Sequence, residues 1–325
     1  MAGKRVALAL GSGSARGYAH IGVIGELESR GYEIVGIAGS SMGALVGGLQ
    51  AAGKLDEFAD WARSLTQGAV LRLLDPSITA SGVLRATKIL DAVRDILGEV
   101  RIEELPIPYT AVSTDLIAGR TVWLQRGPVD AAIRASIAIP GVIAPHVLDG
   151  RLLADGGILE PLPMAPIAAV NADLTIGVSL AGSDTTAPTA PSSEAGSRAT
   201  TEWLSRMWRS TTALIESTPV LGRFGSGSGA TEGSSTDELV DASRELDATR
   251  EATVPKLGSF EVMNRSIDIA QAALARHQLA YYPPDLLIEV PRTACRSLDF
   301  HRAGEVIELG AKLAATVLDD YEAGG

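Results

Sequence analysis

The strongest constraint on how this chain folds is the pentapeptide Gly39-Ser40-Ser41-Met42-Gly43. It follows the short apolar run Ile34–Ala38 and precedes a long helical stretch. A G-x-S-x-G sequence between a strand and a helix describes a sharp corner that lifts the central serine hydroxyl off the end of a sheet. Such a corner strains the serine backbone and crowds the residues two positions away, and Gly39 and Gly43 relieve that crowding. Ser41 is therefore a candidate nucleophile. Because it opens a helix, the unpaired N–H groups and the dipole there favour negative charge developing beside it. Taken alone, the pentapeptide fits an ordinary Gly/Ser turn equally well.

Two further apolar runs end in turns that carry chemistry. Arg5–Leu10 leads into Gly11-Ser12-Gly13-Ser14-Ala15-Arg16-Gly17. A glycine-rich turn between strand and helix aims several backbone N–H groups at one point. Such a nest binds an anion, whether a nucleotide phosphate or the oxyanion of acyl transfer. The dinucleotide pattern G-x-G-x-x-G, counted from Gly11, fails at Arg16, where close helix–sheet packing needs glycine. No acidic residue ends the next strand run to hold a ribose. The third run, Leu152-Leu153-Ala154, meets Asp155-Gly156-Gly157. A carboxylate at the end of a buried strand needs a partner or a raised pKa. At the usual value of about 3.9 it is a weak general base, and desolvation moves it toward the working range. Asp155 would then take the Ser41 proton directly. The alternative, a plain Asp-Gly turn, is common.

The order strand, glycine-rich loop with Arg and Gly, helix, strand, G-x-S-x-G, helix and late Asp-Gly-Gly resembles the patatin-like phospholipases, most closely their bacterial branch of RssA type. Tyr18-Ala19-His20-Ile21-Gly22-Val23, the stretch 134–141 (RASIAIPG) and Asp299-Phe300-His301-Arg302 are also family-like. The similarity covers residues 4–180 well and 267–318 more loosely. It implies an α/β fold of three layers, with a mostly parallel central sheet flanked by helices. It also implies a Ser41–Asp155 dyad with no histidine, metal or cofactor in the chemistry. Gly39, Gly43 and Gly156 complete the elbow and the aspartate motif. The family loop is usually Gly-Gly-Gly-x-[Lys/Arg]-Gly, and here Ser12 and Ser14 replace two of its glycines. An oxyanion hole built from Gly13 and Ser14, with Arg16 beside them, then requires negative φ at the serines, a condition serine usually meets. Arg16 either holds the loop shape or adds positive field.

The rival for the same pentapeptide is a Ser-His-Asp hydrolase. There the nucleophile follows several strands and a histidine comes late. Only two strand runs precede Ser41. Of His20, His146, His277 and His301, His277 falls in a helical stretch over 268–280 and His301 in a family-like segment with a structural reading.

Periodicity predicts a helix over 18–30 closed by Gly31, strands at 109–114 and 121–125 paired around Ala118-Gly119, and a helix over 128–137. It further predicts a short helix over 163–170, strands at 174–180 and 285–290, and a final helix over 303–321. All three motifs sit at carboxyl ends of strands, where open α/β sheets bind ligands. Three regions follow: a catalytic core over 1–180, low-complexity linkers over 181–258, and 259–325 completing the domain. Within the linkers, Trp203, Leu204, Met207, Trp208, Leu214 and Ile215 recur at helical spacing near Arg206 and Arg209. That amphipathic stripe either packs on the main domain or dips into a membrane interface as a lid or appendage.

Hydrophobic residues make up 46% of the 325 and aromatics only 4%. The core must be Ala, Leu, Ile and Val, which suits buried parallel strands. A formal net charge of −11 argues against nucleic-acid partners and gives no help on anionic lipid surfaces. The single cysteine, Cys295, fits a reducing, cytoplasmic compartment. The run Val6–Leu10 is too short for a signal-peptide core. Residues 34–53 are uncharged and about long enough to span a bilayer. Their six glycines with Ser40 and Ser41 fit a buried strand–elbow–helix better.

The expected function is a serine acyl hydrolase of phospholipase A or lysophospholipase type. It would cleave lipid or other acyl esters through an acyl-Ser41 intermediate, with peripheral membrane contact. An acyltransferase using the same dyad and a regulatory protein with a silent site remain open at this level.

Overall fold

The apolar runs become strands because each is short, rich in Val, Ile, Leu and Ala, and cut off by glycine or a polar turn. The computed structural model describes residues 4–73, 87–140, 142–182 and 259–324. In chain order the strands are β1 (Arg5–Leu10), β2 (Glu33–Ser40), β3 (Tyr109–Asp115), β4 (Arg120–Leu124), β5 (His146–Leu148), β6 (Arg151–Asp155), β7 (Leu174–Gly182) and β8 (Leu286–Pro291). The helices are α1 (Ala19–Ser29), α2 (Met42–Ala51), α3 (Leu55–Ser64), α4 (Gln67–Leu73), α5 (Thr87–Leu97), α6 (Val129–Ser136), α7 (Ser259–Tyr281) and α8 (Ala303–Gly324). By internal contacts the chain divides into Met1–Thr186 with Ser266–Gly325, and Ala187–Arg265. The sheet belongs to the first unit. The amphipathic stripe expected near residues 201–217 and its flanking linkers lie outside the described residues.

The strands form one sheet in the order β5-β6-β3-β2-β1-β7-β8, with β4 also on β3. Strands β3, β2, β1, β7 and β8 are mutually parallel, while β4, β5 and β6 join antiparallel at one end. Side chains of β1 alternate between two cores, as the period of a strand demands. Val6, Leu8 and Leu10 enter the larger one with residues of α1, α2, α3, α6 and α8. Ala7 and Ala9 enter a thinner layer with Leu162, Met164, Ile167 and Ala275 of α7. Helices thus flank both faces, the three-layer α/β arrangement expected.

Two local expectations are corrected. The helix expected over 163–170 is only a 3-10 turn, Ala165–Ile167. Pro163 and Pro166 each remove a backbone donor, so a longer ladder cannot form. Strand β5 escaped notice because three residues carry no period. It is held by a two-residue hairpin turn whose Asp149 and Gly150 have φ of 49° and 72°, the primed geometry that matches strand twist.

The edges of β3 position the site. Along Ala111–Asp115 one edge is filled by β4. On the other, β2 pairs as far as Ser40 opposite Val112. The next position, Ser113, is paired with Asp155 of β6. Where β2 leaves the sheet at the elbow, β6 therefore takes over its edge from the opposite direction. The end of one strand meets the end of the other.

Candidate active site

Ser41 lies between β2 and α2 with φ 56° and ψ −121°. This backbone region is sparsely used by residues with a side chain, and holding one there takes of order 1–3 kcal/mol. The elbow persists because its surroundings fix it. The Ser41 amide donates to Ser136 Oγ at 2.9 Å, and that hydroxyl donates to Val112 O at 2.6 Å. A Cβ on Gly39 would collide with the carbonyl of Gly43, and one on Gly43 with the carbonyl of Leu10. Since both obstacles are backbone, Gly43→Ala is expected to destabilise the fold by about 1–3 kcal/mol, the usual range for overpacking. Chemical denaturation checks this, and a variant as stable as the parent would show that the elbow relaxes freely.

The edge exchange at β3 puts Asp155 against Ser41. Ser41 Oγ donates to Asp155 Oδ2 at 2.5 Å, in the range of a bond to an ionised acceptor. The second carboxylate oxygen accepts from the Gly157 amide at 2.7 Å. The aspartate backbone is pinned by Thr114 Oγ1 to its carbonyl and by its own amide to Ala138 O, each at 3.0 Å. Gly156 and Gly157 are required by space. A Cβ on Gly156 would strike Val112 O, and one on Gly157 would strike Ser12 Oγ. Asp155 is 2% exposed. Burial is the dominant influence and lifts its pKa to about 6, against the opposing pull of the bonds from Ser41 and Gly157. That value brings the carboxylate within reach of general-base work at neutral pH.

The glycine-rich loop is the third part. The amides of Gly11, Ser12, Ala15 and Arg16 are taken by Val178 O, Pro161 O, Ser297 O and Gly13 O. Those of Gly13 and Ser14 have no acceptor among the described residues and are the loop's free donors. Arg16 thus offers no free amide to the loop's anion site. Its guanidinium is buried and faces Asp268 Oδ1 of α7 at 3.1 Å. The negative φ expected where serine replaces glycine fails at Ser14, whose φ is 50°; that region mildly penalises any side chain. The loop lies against the other two motifs. A Cβ on Gly17 would strike Met42 Cβ at the start of α2, and Ser12 Oγ borders Gly157.

Among the described residues no histidine hydrogen-bonds to Ser41 or Asp155. His20 is fully buried beneath the loop, and its Nε2 lies 2.8 Å from Gly11 O. Burial lowers its pKa to about 4, so the ring is neutral at physiological pH and Nε2–H donates. His146 sits on β5, and His277 packs edge-on against Tyr281. No group of three or more His, Cys, Asp or Glu able to hold a metal occurs among the described residues. Sequence reasoning did not single out Ser136, Asp268 or Gln271. Ser136 falls in the family-like stretch 134–141, but nothing local there shows its bond to the elbow; Asp268 and Gln271 reach the site from a distant helix with no local motif to mark them.

With this geometry in place, comparison with known proteins is direct. The family model for patatin-like phospholipase matches residues 8–168. An uncharacterized NTE family protein of Mycobacterium tuberculosis is 64% identical over 336 residues, covering 98% of this chain and 92% of the relative. Patatin-like phospholipase domain-containing protein 6 of Mus musculus is 31% identical over 194 residues, 57% of this chain and 14% of that protein. Among solved structures, VipD from Legionella pneumophila aligns with a TM-score of 0.44 at 15% identity, over 98% of this chain and 67% of VipD. The chain belongs to the patatin-like phospholipase family.

Proposed function

We propose that the protein is a serine acyl hydrolase that cleaves carboxylic esters of lipids, in the manner of a phospholipase A or lysophospholipase. The observation that carries this reading is the bond from Ser41 Oγ to Asp155 Oδ2, made by a buried carboxylate with a pKa of about 6. Asp155 takes the hydroxyl proton as Oγ attacks the ester carbonyl carbon. The carbonyl oxygen becomes an oxyanion, met by the free amides of Gly13 and Ser14 and by the start of α2. The protonated Asp155 then gives its proton to the leaving alcohol, which departs and leaves acyl-Ser41. A water molecule enters, loses a proton to Asp155 and attacks the acyl carbon. The Ser41–acyl bond breaks, Oγ regains the proton, and the acid leaves.

No helix among the described residues is long and apolar enough to cross a membrane. On this reading the lipid is met by peripheral contact, and the lone Cys295 suits a reducing cytoplasm. Purified protein should hydrolyse both short and long acyl esters, with turnover absent in Ser41→Ala. Acyl transfer to an added alcohol in excess of hydrolysis would favour the transferase. No turnover of any ester would favour a silent regulatory site.

The histidines supply a separate check. Replacement of His20, His146, His277 or His301 by Gln, one at a time, is expected to leave kcat within a few-fold of the parent. At position 20 the Gln amide can still donate to Gly11 O. A folded Gln variant as inactive as Ser41→Ala would restore the triad.

A further inference from the structure

The oxyanion loop of this chain carries a serine, Ser14, where the loop of the family it resembles usually has glycine. Ser14 holds φ 50°, and a side chain there keeps that conformation only if its surroundings impose it. The restraints come from both sides of the loop. Below it, His20 bonds Gly11 O, and Pro161 O takes the Ser12 amide. Beyond it, Ser297 O takes the Ala15 amide, and Arg16 is tied to Asp268. The Arg16 tie is the one made by charge. Its side chain is 6% exposed, its Nε is buried with no partner, and a guanidinium does not shed its proton. Asp268 is the carboxylate that compensates it.

Asp268 also stands on a helix face that touches both site loops. Gln271, one turn on, borders Gly157, since its Nε2 lies 2.7 Å from where a Cβ of that glycine would be. Gln278, further along the same face, donates from Nε2 to Leu159 O at 2.9 Å. Asp268, Gln271, Ser12 and Arg16 line one cavity beside the loop. These α7 residues come from outside the stretch, 8–168, that matches the family.

We propose that Asp268 is a positioning residue. Through Arg16 it holds the Gly13 and Ser14 amides where the developing oxyanion needs them, and so sets the rate of acylation of Ser41 without taking part in binding the ground state. This rests on the hydrolase reading above. A donor aimed at charge that exists only in the transition state changes kcat and leaves KM alone.

The test is Asp268→Asn, Asp268→Glu and the double variant Arg16→Gln/Asp268→Asn, assayed on a neutral, soluble short-chain ester. The rate of Ser41 labelling by a fluorophosphonate is followed in parallel. Asp268→Asn is expected to lower kcat and the labelling rate at least tenfold with KM within twofold, and Asp268→Glu to recover most of both. The double variant leaves no buried charge unpaired, so it keeps the fold should the single one fail, and it should show the same loss. The proposal is overturned if the folded variants stay within twofold of the parent, if the loss lies in KM, or if the Glu variant is as slow as the Asn variant. A parent that neither turns over esters nor labels would sink the hydrolase reading, and the positioning role with it. An active parent with unaffected variants would sink the positioning role alone.

Discussion

Asp155→Asn is expected to abolish turnover and at the same time make the protein more stable at neutral pH. The amide is the same size. Its oxygen can keep the bond from the Gly157 amide and its NH₂ can face Ser41 Oγ, so the fold has no reason to change. The basic lone pair is lost, and removing a general base costs roughly 10²–10⁴-fold in rate. The stability gain follows from burial, which raises the aspartate pKa from 3.8 to about 6 in the folded state. A carboxyl whose pKa is raised on folding contributes its full stability below its unfolded value. That contribution is lost as pH rises through the folded value. Here the loss falls between about pH 4 and pH 6, and a shift of this size corresponds to at most about 3 kcal/mol. The Asn variant does not titrate. It should match the parent near pH 4 and exceed it by about 1–3 kcal/mol at pH 7–8, as read by denaturant unfolding across pH. In the parent, kcat/KM should rise with pH up to about 6, since the proposed mechanism uses the ionised carboxylate as the base. Parental rates in a well-folded Asn variant would exclude Asp155 as the base.

Ser41→Ala and Ser41→Gly should both be inactive, by roughly 10⁴-fold or more as for other nucleophile deletions, yet differ from each other in stability. Both remove the atom that the proposed mechanism acylates, so neither should react with a fluorophosphonate. Alanine must still adopt φ 56° and ψ −121°, whereas glycine adopts positive φ without a steric penalty. The strain released is of order 1–3 kcal/mol, and the extra freedom of glycine in the unfolded chain returns about 0.5–1 kcal/mol of it. Ser41→Gly is therefore expected to be the more stable by about 1–2 kcal/mol. In both, Asp155 loses the Ser41 bond that pulls its pKa down, so its titration should move above that of the parent, as read by stability against pH. Labelling of a different serine with turnover intact would remove Ser41 from the mechanism. Equal stability of the two variants would show that the elbow is not strained.

Much of the site is legible in the chain because its signals are local. A strand that breaks into Gly39-Ser40-Ser41-Met42-Gly43, a strand that breaks into a glycine-rich loop, and a strand that breaks into Asp155-Gly156-Gly157 are each written in a few consecutive residues. Turn sterics act over that same range. The difference over 163–170 is also local: Pro163 and Pro166 limit the apolar pattern to a 3-10 turn. The positive φ of Ser14 has a different origin. Serine by itself prefers the negative side, and only packing from elsewhere, such as Arg16 on Asp268 and Ala15 on Ser297, holds it on the other.

By itself, then, the sequence determined which residues can do chemistry and what bends the backbone must make around them. Local sterics and the need to end each apolar run do not depend on the rest of the fold. The tertiary structure alone decided that these residues meet. Ser41 and Asp155 are 114 positions apart. They touch because β2 leaves the edge of β3 at Ser40 and antiparallel β6 fills it from Asp155. The rise of the Asp155 pKa to about 6 likewise belongs to the folded state, since desolvation exists only once the sheet and its helices have closed over the carboxylate. Ser136 and Asp268 enter from α6 and α7. Their roles are set by hydrogen bonds between elements far apart in the chain, and no local pattern of residues encodes such a bond.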